Sequence, residues 1–376
     1  MRGGEEMRGK ILILFGGKSV EHDISIITAM QTQKFLPKEF DYLPVYVDKN
    51  GVWWVADNAF DVKIYNNFGR FAKNKRRVSL IMGEKKLLVE KRGKFVPYAD
   101  IKAVLNCCHG HFGEDGVVQG VFQACEIPQT SAKHTSSALC MDKVFMKQIL
   151  ASNDIPTPKY VFFDKCTYEE NDAEKCVKPL GFPLVVKPAN LGSSIGISVA
   201  KTIPELKEAI GFAFSFDKKV LVEQYVQNLK EFNCACVQIH KEKFASDVLE
   251  VTNKGEIFSF DDKYLSKKSG CKKVDAKLSK KIKALTEKVY SLFDCSGVVR
   301  VDFLYDEKEK LLYVNEINSI PGALSFYLFK DIPFQDLLRC LINEAIKNEE
   351  DEKQFIKCYD SDALDLFEKF DFSAKK

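Results

Sequence analysis

VRVDFLYDEKEKLLYVNEINSIPG, residues 299–322, decides how the rest of the chain is read. Two apolar, alternating runs, Val298 to Tyr305 and Leu311 to Ile317, flank the charged turn Asp306-Glu307-Lys308-Glu309-Lys310, which predicts a hairpin of two strands. Side chains alternate between the faces of a strand, so Arg300 and Asp302 share a face of the first strand, and Glu316 and Asn318 share one of the second. These side chains can then converge on one surface of a sheet. Asp, Glu and Asn offer hard oxygen ligands, which suit Mg²⁺ or Mn²⁺ held against phosphates and would make a poor zinc site. The competing reading is a solvated hairpin with charges on its wet face, the ordinary fate of an isolated charged strand. Asn318-Ser319-Ile320-Pro321-Gly322 argues against it, because the strand ends in a rigid turn whose glycine lets a backbone N–H approach a ligand.

The chain has 376 residues, 45% hydrophobic and 29% charged, enough to bury a substantial core divided over two or three domains. Its 56 basic residues are interleaved with 53 acidic ones, a net charge of +3 that gives no sign of nucleic-acid or membrane-surface binding. Among 12 cysteines, Cys107 and Cys108 are adjacent in an apolar run, Cys234 and Cys236 alternate in an expected strand, and no CxxC pair occurs. Most are therefore expected as reduced core thiols. Met1 to Lys10 is too short and polar for a signal peptide, and no apolar run reaches the length of a membrane span. A cytoplasmic protein with a disordered MRGGEEMRG leader is the expectation.

Lys10 to Phe15 is a continuous apolar run ending in Gly16-Gly17, the pattern of a parallel strand buried on both faces. A helix over Ile24 to Phe35 and a strand over Tyr42 to Val47 complete a β-α-β unit. Ser19, Glu21 and His22 then sit at the strand's carboxyl end, where open α/β sheets bind ligands, although Gly16-Gly17 also reads as a plain tight turn. Residues 49 to 100 elaborate this domain with a strand at Gly51 to Val55, a basic loop around Lys73 to Arg77 and a hairpin across Arg92-Gly93. Ile101 to Asn106 is the next buried strand. It runs into Cys107-Cys108-His109-Gly110-His111-Phe112-Gly113-Glu114-Asp115-Gly116, a ligand-facing loop in which His109 lies nearer the strand tip.

Thr135 to Ser152 predicts one helix containing Met141-Asp142-Lys143, and Asp154 to Pro158 then breaks the pattern. Phe182 to Pro188 is a strand that delivers Lys187 beside Ala189-Asn190-Leu191-Gly192-Ser193-Ser194-Ile195-Gly196, with Ile197 to Ala200 closing a hairpin. Such a turn offers backbone N–H groups and hydroxyls without bulk, so it can cover a polyphosphate while the lysine neutralises charge. It is no Walker motif, because the lysine precedes the glycines and no helix follows. Lys219 to Val226 and Asn233 to His240 read as strands, with Glu223 placed to accept from an adenine amine or a ribose. Asp261 to Gly270 reads as a lid over an anionic ligand, or as an ordinary exposed loop. Lys277 to Phe293 and Pro333 to Lys347 are amphipathic helices, and Leu364 to Phe370 a shorter one in the tail.

With these residues assembled, the chain resembles the D-alanine–D-alanine ligases of the ATP-grasp superfamily. FGGKSVEHDIS, HGHFGEDGVVQG, the Met141-Asp142-Lys143 helix, VVKPANLGSSIG, the KYLS lid, RVDF and NEINSIPG occur in the family's order between about residues 9 and 347. The resemblance implies an α/β (α+β ATP-grasp) fold. An N-terminal open parallel α/β domain would cover residues 1–131, with 1–9 as the leader. A central ATP-grasp subdomain would cover 132–222, and a C-terminal catalytic subdomain 223–376, both with mainly antiparallel sheets. It implies condensation of two D-alanines at the expense of ATP, for peptidoglycan precursor synthesis, in a cytoplasmic homodimer.

By the same resemblance Lys143, Lys187 and Lys263 lie on the ATP phosphates with Ser194 beside them. Glu223 and Glu231 take adenine and ribose, and the backbone of Gln224, Tyr225 and Val226 holds the adenine edge. Asp302, Glu316 and Asn318 bind two Mg²⁺ or Mn²⁺ ions. Arg300 and the Gly322 N–H stabilise a tetrahedral oxyanion. Glu21 holds the first D-alanine's ammonium in a network with Ser193 and Tyr264, and His109 lies near the same substrate. Tyr264 is similar to the dipeptide-forming branch, whereas relatives that use D-lactate tend to have histidine there.

The chain departs from the family after Gly322, where Ala323-Leu324-Ser325-Phe326-Tyr327-Leu328 replaces a Met-Thr run and a Ser-Leu pair that contacts the second substrate. Tyr327 stands in the serine's place, so either its hydroxyl or that of Ser325 takes over, with Leu328 beside it. The lid carries Lys272-Lys273-Val274-Asp275-Ala276 in place of Cys-Pro-Ala. The rival readings are a D-Ala-D-lactate or other carboxylate-amine ligase, and an ATP-binding regulatory protein without catalysis. The intact Arg300, Asp302, Glu316 and Asn318 set speaks against the second.

Overall fold

Strand β1 (Lys10–Gly16) shows why a continuous apolar run belongs at the centre of a sheet. In the computed structural model Ile11, Ile13 and Phe15 enter one buried cluster and Leu12 and Leu14 another, so both faces are covered. The structure describes residues 9–55, 58–67, 75–227, 229–251 and 274–368. Residues 1–8 of the leader and the expected lid, with Lys263 and Tyr264, lie outside the described residues.

The first sheet runs β1, β2 (Tyr42–Val47), β3 (Trp53–Val55), β4 (Arg76–Leu80), β5 (Lys86–Lys91) and β6 (Lys94–Asn106). β1 pairs in parallel with β2 and β6, as the β-α-β pattern predicts. The sheet is not open, however: it closes into a barrel. The cause is the length of β6, whose first half pairs antiparallel with β5 while Ile101 to Asn106 pair in parallel with β1. One strand thereby joins the parallel centre to the hairpin across Arg92-Gly93, where both residues have positive φ. Arg76 and Arg77, expected in a basic loop, lie in β4. Helix α1 (His22–Gln33) follows β1, and α2 (Val117–Ala124) follows the histidine-bearing loop.

The predicted helix over Thr135 to Ser152 is two helices, α3 (His134–Met141) and α4 (Lys143–Ala151). Asp142 leaves the helical region (φ −79°, ψ 102°), and its carboxylate accepts from the backbone of Val144 and Phe145. An N-cap aspartate satisfies amides that would otherwise lack partners, so the break is capped rather than frayed. Beyond it a four-stranded antiparallel sheet has the order β7 (Tyr160–Asp164), β10 (Lys219–Gln224), β8 (Leu184–Pro188), β9 (Ser198–Ala200). Its apolar face is covered by α5 (Asp172–Leu180) and α6 (Ile203–Ala213).

The third sheet has the order β12 (Glu242–Ala245), β11 (Leu229–Ile239), β14 (Val298–Asp306), β15 (Leu311–Asn318), with β13 (Leu249–Val251) also on β11. Helix α7 (Ala276–Leu292) packs Ile282, Val289 and Tyr290 against one face through Phe232, Val299, Val301 and Phe303. Helix α8 (Phe334–Glu352) buries Leu337, Leu338 and Leu341 in the same cluster as Ile11 and Phe15 of β1. Full burial of such a side chain contributes about 1.5–3 kcal/mol, so this shared core ties the first sheet to the third. A short helix α9 (Ala363–Glu368) ends the described chain. The described cysteines are free thiols and most are buried, Cys107, Cys108, Cys234 and Cys236 among them; Cys166 and Cys358 are exposed. No helix among the described residues is long and apolar enough to cross a membrane.

Candidate active site

The hairpin β14–β15 brings its polar residues into register: Arg300 lies opposite Asn318, and Asp302 opposite Glu316. Arg300 grips Asp302 with both prongs, Nε to Oδ1 at 2.6 Å and Nη2 to Oδ2 at 2.9 Å. The Asn318 amide donates to Asp302 Oδ2 at 3.0 Å, and Asn233 of β11 donates to Oδ1. Glu316 receives its cation from another unit, the Lys143 ammonium at 2.8 Å. Burial works to raise the Glu316 carboxyl, but Lys143, Lys187 and Arg300 outweigh it and hold it below the usual carboxylate range.

The helix break aims Lys143. Because Asp142 caps α4, Lys143 is its first residue, its N–H bonds Ala189 O at 3.0 Å, and its Nζ reaches Leu191 O at 2.7 Å. Asp142 is itself held by Lys219 at 2.6 Å. Lys143 is buried. Lys187 on β8 contacts Glu223 Oε2 at 2.7 Å and Asn315 Oδ1 at 3.3 Å. Lys147, one turn after Lys143, takes the other Glu223 oxygen at 2.7 Å. Glu223 therefore has both oxygens engaged by ammonium groups, where the sequence suggested a carboxylate open to a base or sugar. Burial opposes ionisation of Glu223, yet Lys187 and Lys147 keep its carboxyl below the usual range. Burial lowers Lys147 to about 8.

Facing this cluster, Glu21 stands at the N-cap of α1 and accepts from the Ser193 hydroxyl of the glycine loop. A side chain at Gly110, whose φ is +67°, would put its Cβ 2.6 Å from Glu21 Oε2, and one at Gly192 would come within 3.0 Å. Both glycines are therefore needed for the carboxylate to sit where it does. Ser193 and Ser194 have φ of 54° and 56° and are exposed. His22, placed by its sequence position near a ligand, is structural: it is buried and bonds Gly17 O and Tyr46 Oη.

His109 is buried, with Nε2 2.8 Å from Thr28 Oγ1 and its backbone N–H on Ser25 Oγ. Burial pushes the imidazole down to about 4. Glu114 of the same loop accepts from Gly110 N at 2.7 Å and from Ile320 N at 3.0 Å, tying the loop to the turn after β15. Burial, then the Glu21 charge, push its carboxyl up to about 8. A small cleft is lined by Glu21, Glu114, Cys140, Gly192, Glu316 and Asn318.

After Gly322 the chain makes a tight turn in which Ala323, Leu324 and Ser325 are all left-handed (φ 49°, 51°, 48°). The Ser325 hydroxyl is buried without a hydrogen-bond partner among the described residues. Tyr327 is half-buried, and Leu328 packs in the core beside Leu324. At the end of β10 the N–H groups of Gln224 and Tyr225 are taken by Lys159 O and Pro183 O, and both residues and Val226 reach the surface. Glu231 is half-buried on β11, opposite Leu304 and Val251.

The structure thus gathers Lys143, Lys187, Arg300, Asp302, Glu316 and Asn318, with Glu21 and Ser193 across the cleft. Sequence reading missed Lys147, Asn315 and the Glu114 bridge. Spacing was the available signal for Lys147, four residues beyond Lys143 and so on the same helical face. Among the described residues no three His, Cys, Asp or Glu side chains cluster as metal ligands. The donor set for a hard cation is two carboxylates and an amide, and cationic side chains now balance both carboxylates, so positive charge beside phosphates fits it.

Comparisons with known proteins agree with this architecture. A family model described as D-ala D-ala ligase N-terminus matches residues 10–132, and one described as D-ala D-ala ligase C-terminus matches 149–342. The D-alanine–D-alanine ligase of Thermosipho melanesiensis is 36% identical over 357 residues, covering 91% of this chain and 94% of the relative. The D-alanine–D-alanine ligase structure from Coxiella burnetii superposes with a TM-score of 0.80 at 25% identity, over 94% of this chain and 98% of that one. VanG D-Ala:D-Ser ligase from Enterococcus faecalis superposes with a TM-score of 0.76 at 28% identity, over 90% and 99%.

Proposed function

The chain belongs to the D-alanine–D-alanine ligase family, and from that premise we propose how its cleft carries out the reaction. It is an ATP-dependent ligase of the ATP-grasp fold that joins two D-alanines for peptidoglycan synthesis. One observation carries the residue-level reading: Lys143 bridges Leu191 O of the glycine loop and Glu316 of the hairpin, so the two walls of the cleft share a cation.

Glu21, held by Ser193, orients the first D-alanine through its ammonium group. That substrate's carboxylate attacks the γ-phosphoryl group of ATP, giving an acyl phosphate and ADP. Lys143 and Lys187 neutralise the phosphates, with Ser194 of the glycine loop over them and Lys263 of the lid as a further contact. Asp302, Glu316 and Asn318 would hold two divalent cations, Mg²⁺ or Mn²⁺, which when bound offset charge on the phosphates. The amine of the second D-alanine attacks the acyl carbon, and Arg300 and the Gly322 N–H stabilise the oxyanion before phosphate leaves. Ser325 and Tyr327 face the second substrate, with Leu328 packed behind them. Tyr264 completes the Glu21 network. Glu223, Glu231 and the Gln224 to Val226 segment form the nucleotide end. The three units 1–131, 132–222 and 223–376, a homodimer and a cytoplasmic location belong to the same proposal.

The test is product formation with ATP and D-alanine, D-lactate or D-serine as acceptor. D-alanyl-D-alanine as the main product with matched phosphate release supports the reading. A preference for D-lactate or D-serine overturns the assignment of the second substrate.

A further inference from the structure

We propose that Thr28 is a positioning residue for the second half of the ligation: its hydroxyl anchors the left-handed turn that carries Gly322 and Ser325 to the His109 loop. The inference rests on the ligase reading and adds to it a residue in the middle of α1, away from every sequence motif.

Glu21, Ser25, Thr28 and Thr32 recur at helical spacing and lie along one face of α1. At its amino end this face holds the Glu21 carboxylate against Ser193. One turn on, Ser25 bonds Glu21 O and accepts the His109 N–H. Thr28, 1% exposed, lies next to the turn after Gly322, and Thr32 Oγ1 donates to Thr28 O at 2.7 Å. The face therefore runs from the first-substrate carboxylate to the turn assigned to the second substrate.

The tautomer of His109 sets the direction of the contact. A hydroxyl has one hydrogen and can accept as well. Thr28 Oγ1 accepts the Ala323 N–H at 3.2 Å and lies 2.8 Å from His109 Nε2. A neutral ring that carries its proton on the other nitrogen, towards the Ile320 backbone, leaves Nε2 bare, and the Thr28 hydroxyl then donates to it. His109 is thus fixed from both edges, by Thr28 and by the turn that Thr28 holds.

The anchor is needed because of the backbone. Consecutive non-glycine residues in the left-handed region carry a steric cost, so such a turn persists only where its surroundings impose it. Ala323 N–H on Thr28, Leu324 N–H on Pro321 O at 2.7 Å, and Leu324 packed with Ile26 and Ala29 of α1 do so here. Removing the Thr28 hydroxyl leaves a buried N–H and a buried imidazole nitrogen unsatisfied, and the turn relaxes.

The experiment compares Thr28→Val, which keeps the shape, Thr28→Ser, which keeps the hydroxyl, and Thr28→Ala, carried so that a folding defect caused by the valine methyl does not decide the result. Initial rates with ATP and D-alanine varied separate the nucleotide from the two amino-acid sites. The expected result is a rise of about tenfold in the KM of the second D-alanine for the valine and alanine variants, with the ATP KM within about twofold and recovery by serine. Equal rises for ATP and both D-alanines, wild-type kinetics in the valine variant, or failure of serine to recover the loss overturn the proposal. Nitrogen NMR of His109 gives a readout without turnover: the Nε2 resonance moves downfield in the valine variant and returns in the serine variant. If the wild-type protein makes no dipeptide, the ligase reading fails by itself, and an unmoved Nε2 resonance overturns the Thr28 contact independently.

Discussion

Replacing Glu223 with glutamine removes the carboxylate that two buried lysines share, 2.7 Å from Lys147 and 2.7 Å from Lys187. At that distance and an effective dielectric of about 20, each pair attracts by roughly 6 kcal/mol gross, most of it offset by the desolvation of both ions. Breaking such a buried pair costs about 3–5 kcal/mol, because the partner charge stays behind. Lys147 has an escape that favours the lower end. Burial already lowers it to about 8, so a modest further drop lets it shed its proton at pH 7 and limits its share to roughly 1–2 kcal/mol. The sign of the pH dependence follows. The folded value lies below the unfolded one, so between about 8 and 10.5 the unfolded chain binds more protons, and stability rises with pH. Without Glu223 that window extends below pH 7. Urea denaturation followed by far-ultraviolet circular dichroism should show Glu223→Gln less stable by about 3 kcal/mol at pH 7, with a smaller deficit at pH 9. A loss under about 1 kcal/mol, or a deficit that grows with pH, would refute the shared-carboxylate account.

Asp302→Asn and Glu316→Gln should each cut turnover by about 100-fold or more with the circular dichroism spectrum unchanged, and near-normal rates in both would remove these carboxylates from the phosphate end. His109 should remain neutral down to a pH of about 4 in an NMR titration. Its folded value lies below the unfolded 6.5, so it makes stability fall as pH drops from 6.5 towards 4, and a midpoint near 6.5 in the folded protein would contradict its burial. Ser193→Ala should raise the KM for the first D-alanine by roughly 3- to 10-fold while leaving that for ATP unchanged, since its contact is with Glu21 rather than the nucleotide. Equal effects on both would place Ser193 on the phosphates instead.

What could be read in the sequence was whatever local periodicity encodes. The face shared by Arg300 and Asp302, and by Glu316 and Asn318, follows from a period of two and appears in the register. The burial of β1 on both faces follows from its unbroken apolar run. What escaped depends on partners distant in the chain. Helix propensity runs smoothly through Met141-Asp142-Lys143; only the cap on Val144 and Phe145 and the pairing of Asp142 with Lys219 show that the helix breaks there to aim Lys143. The closure of the first sheet was hidden because the two halves of β6 pair with different strands, which no window along the sequence can show. Glu223 likewise reads as a carboxylate open to a base or a ribose until Lys147 and Lys187 arrive from a helix and a neighbouring strand.

Following carboxyl oxygen tests most directly whether this cleft moves a phosphoryl group from ATP to D-alanine. With D-alanine fully labelled by ¹⁸O in its carboxylate, the account predicts one labelled oxygen in each inorganic phosphate released with D-alanyl-D-alanine, because the acyl phosphate hands that oxygen to the leaving group. Unlabelled phosphate released alongside the dipeptide would contradict it.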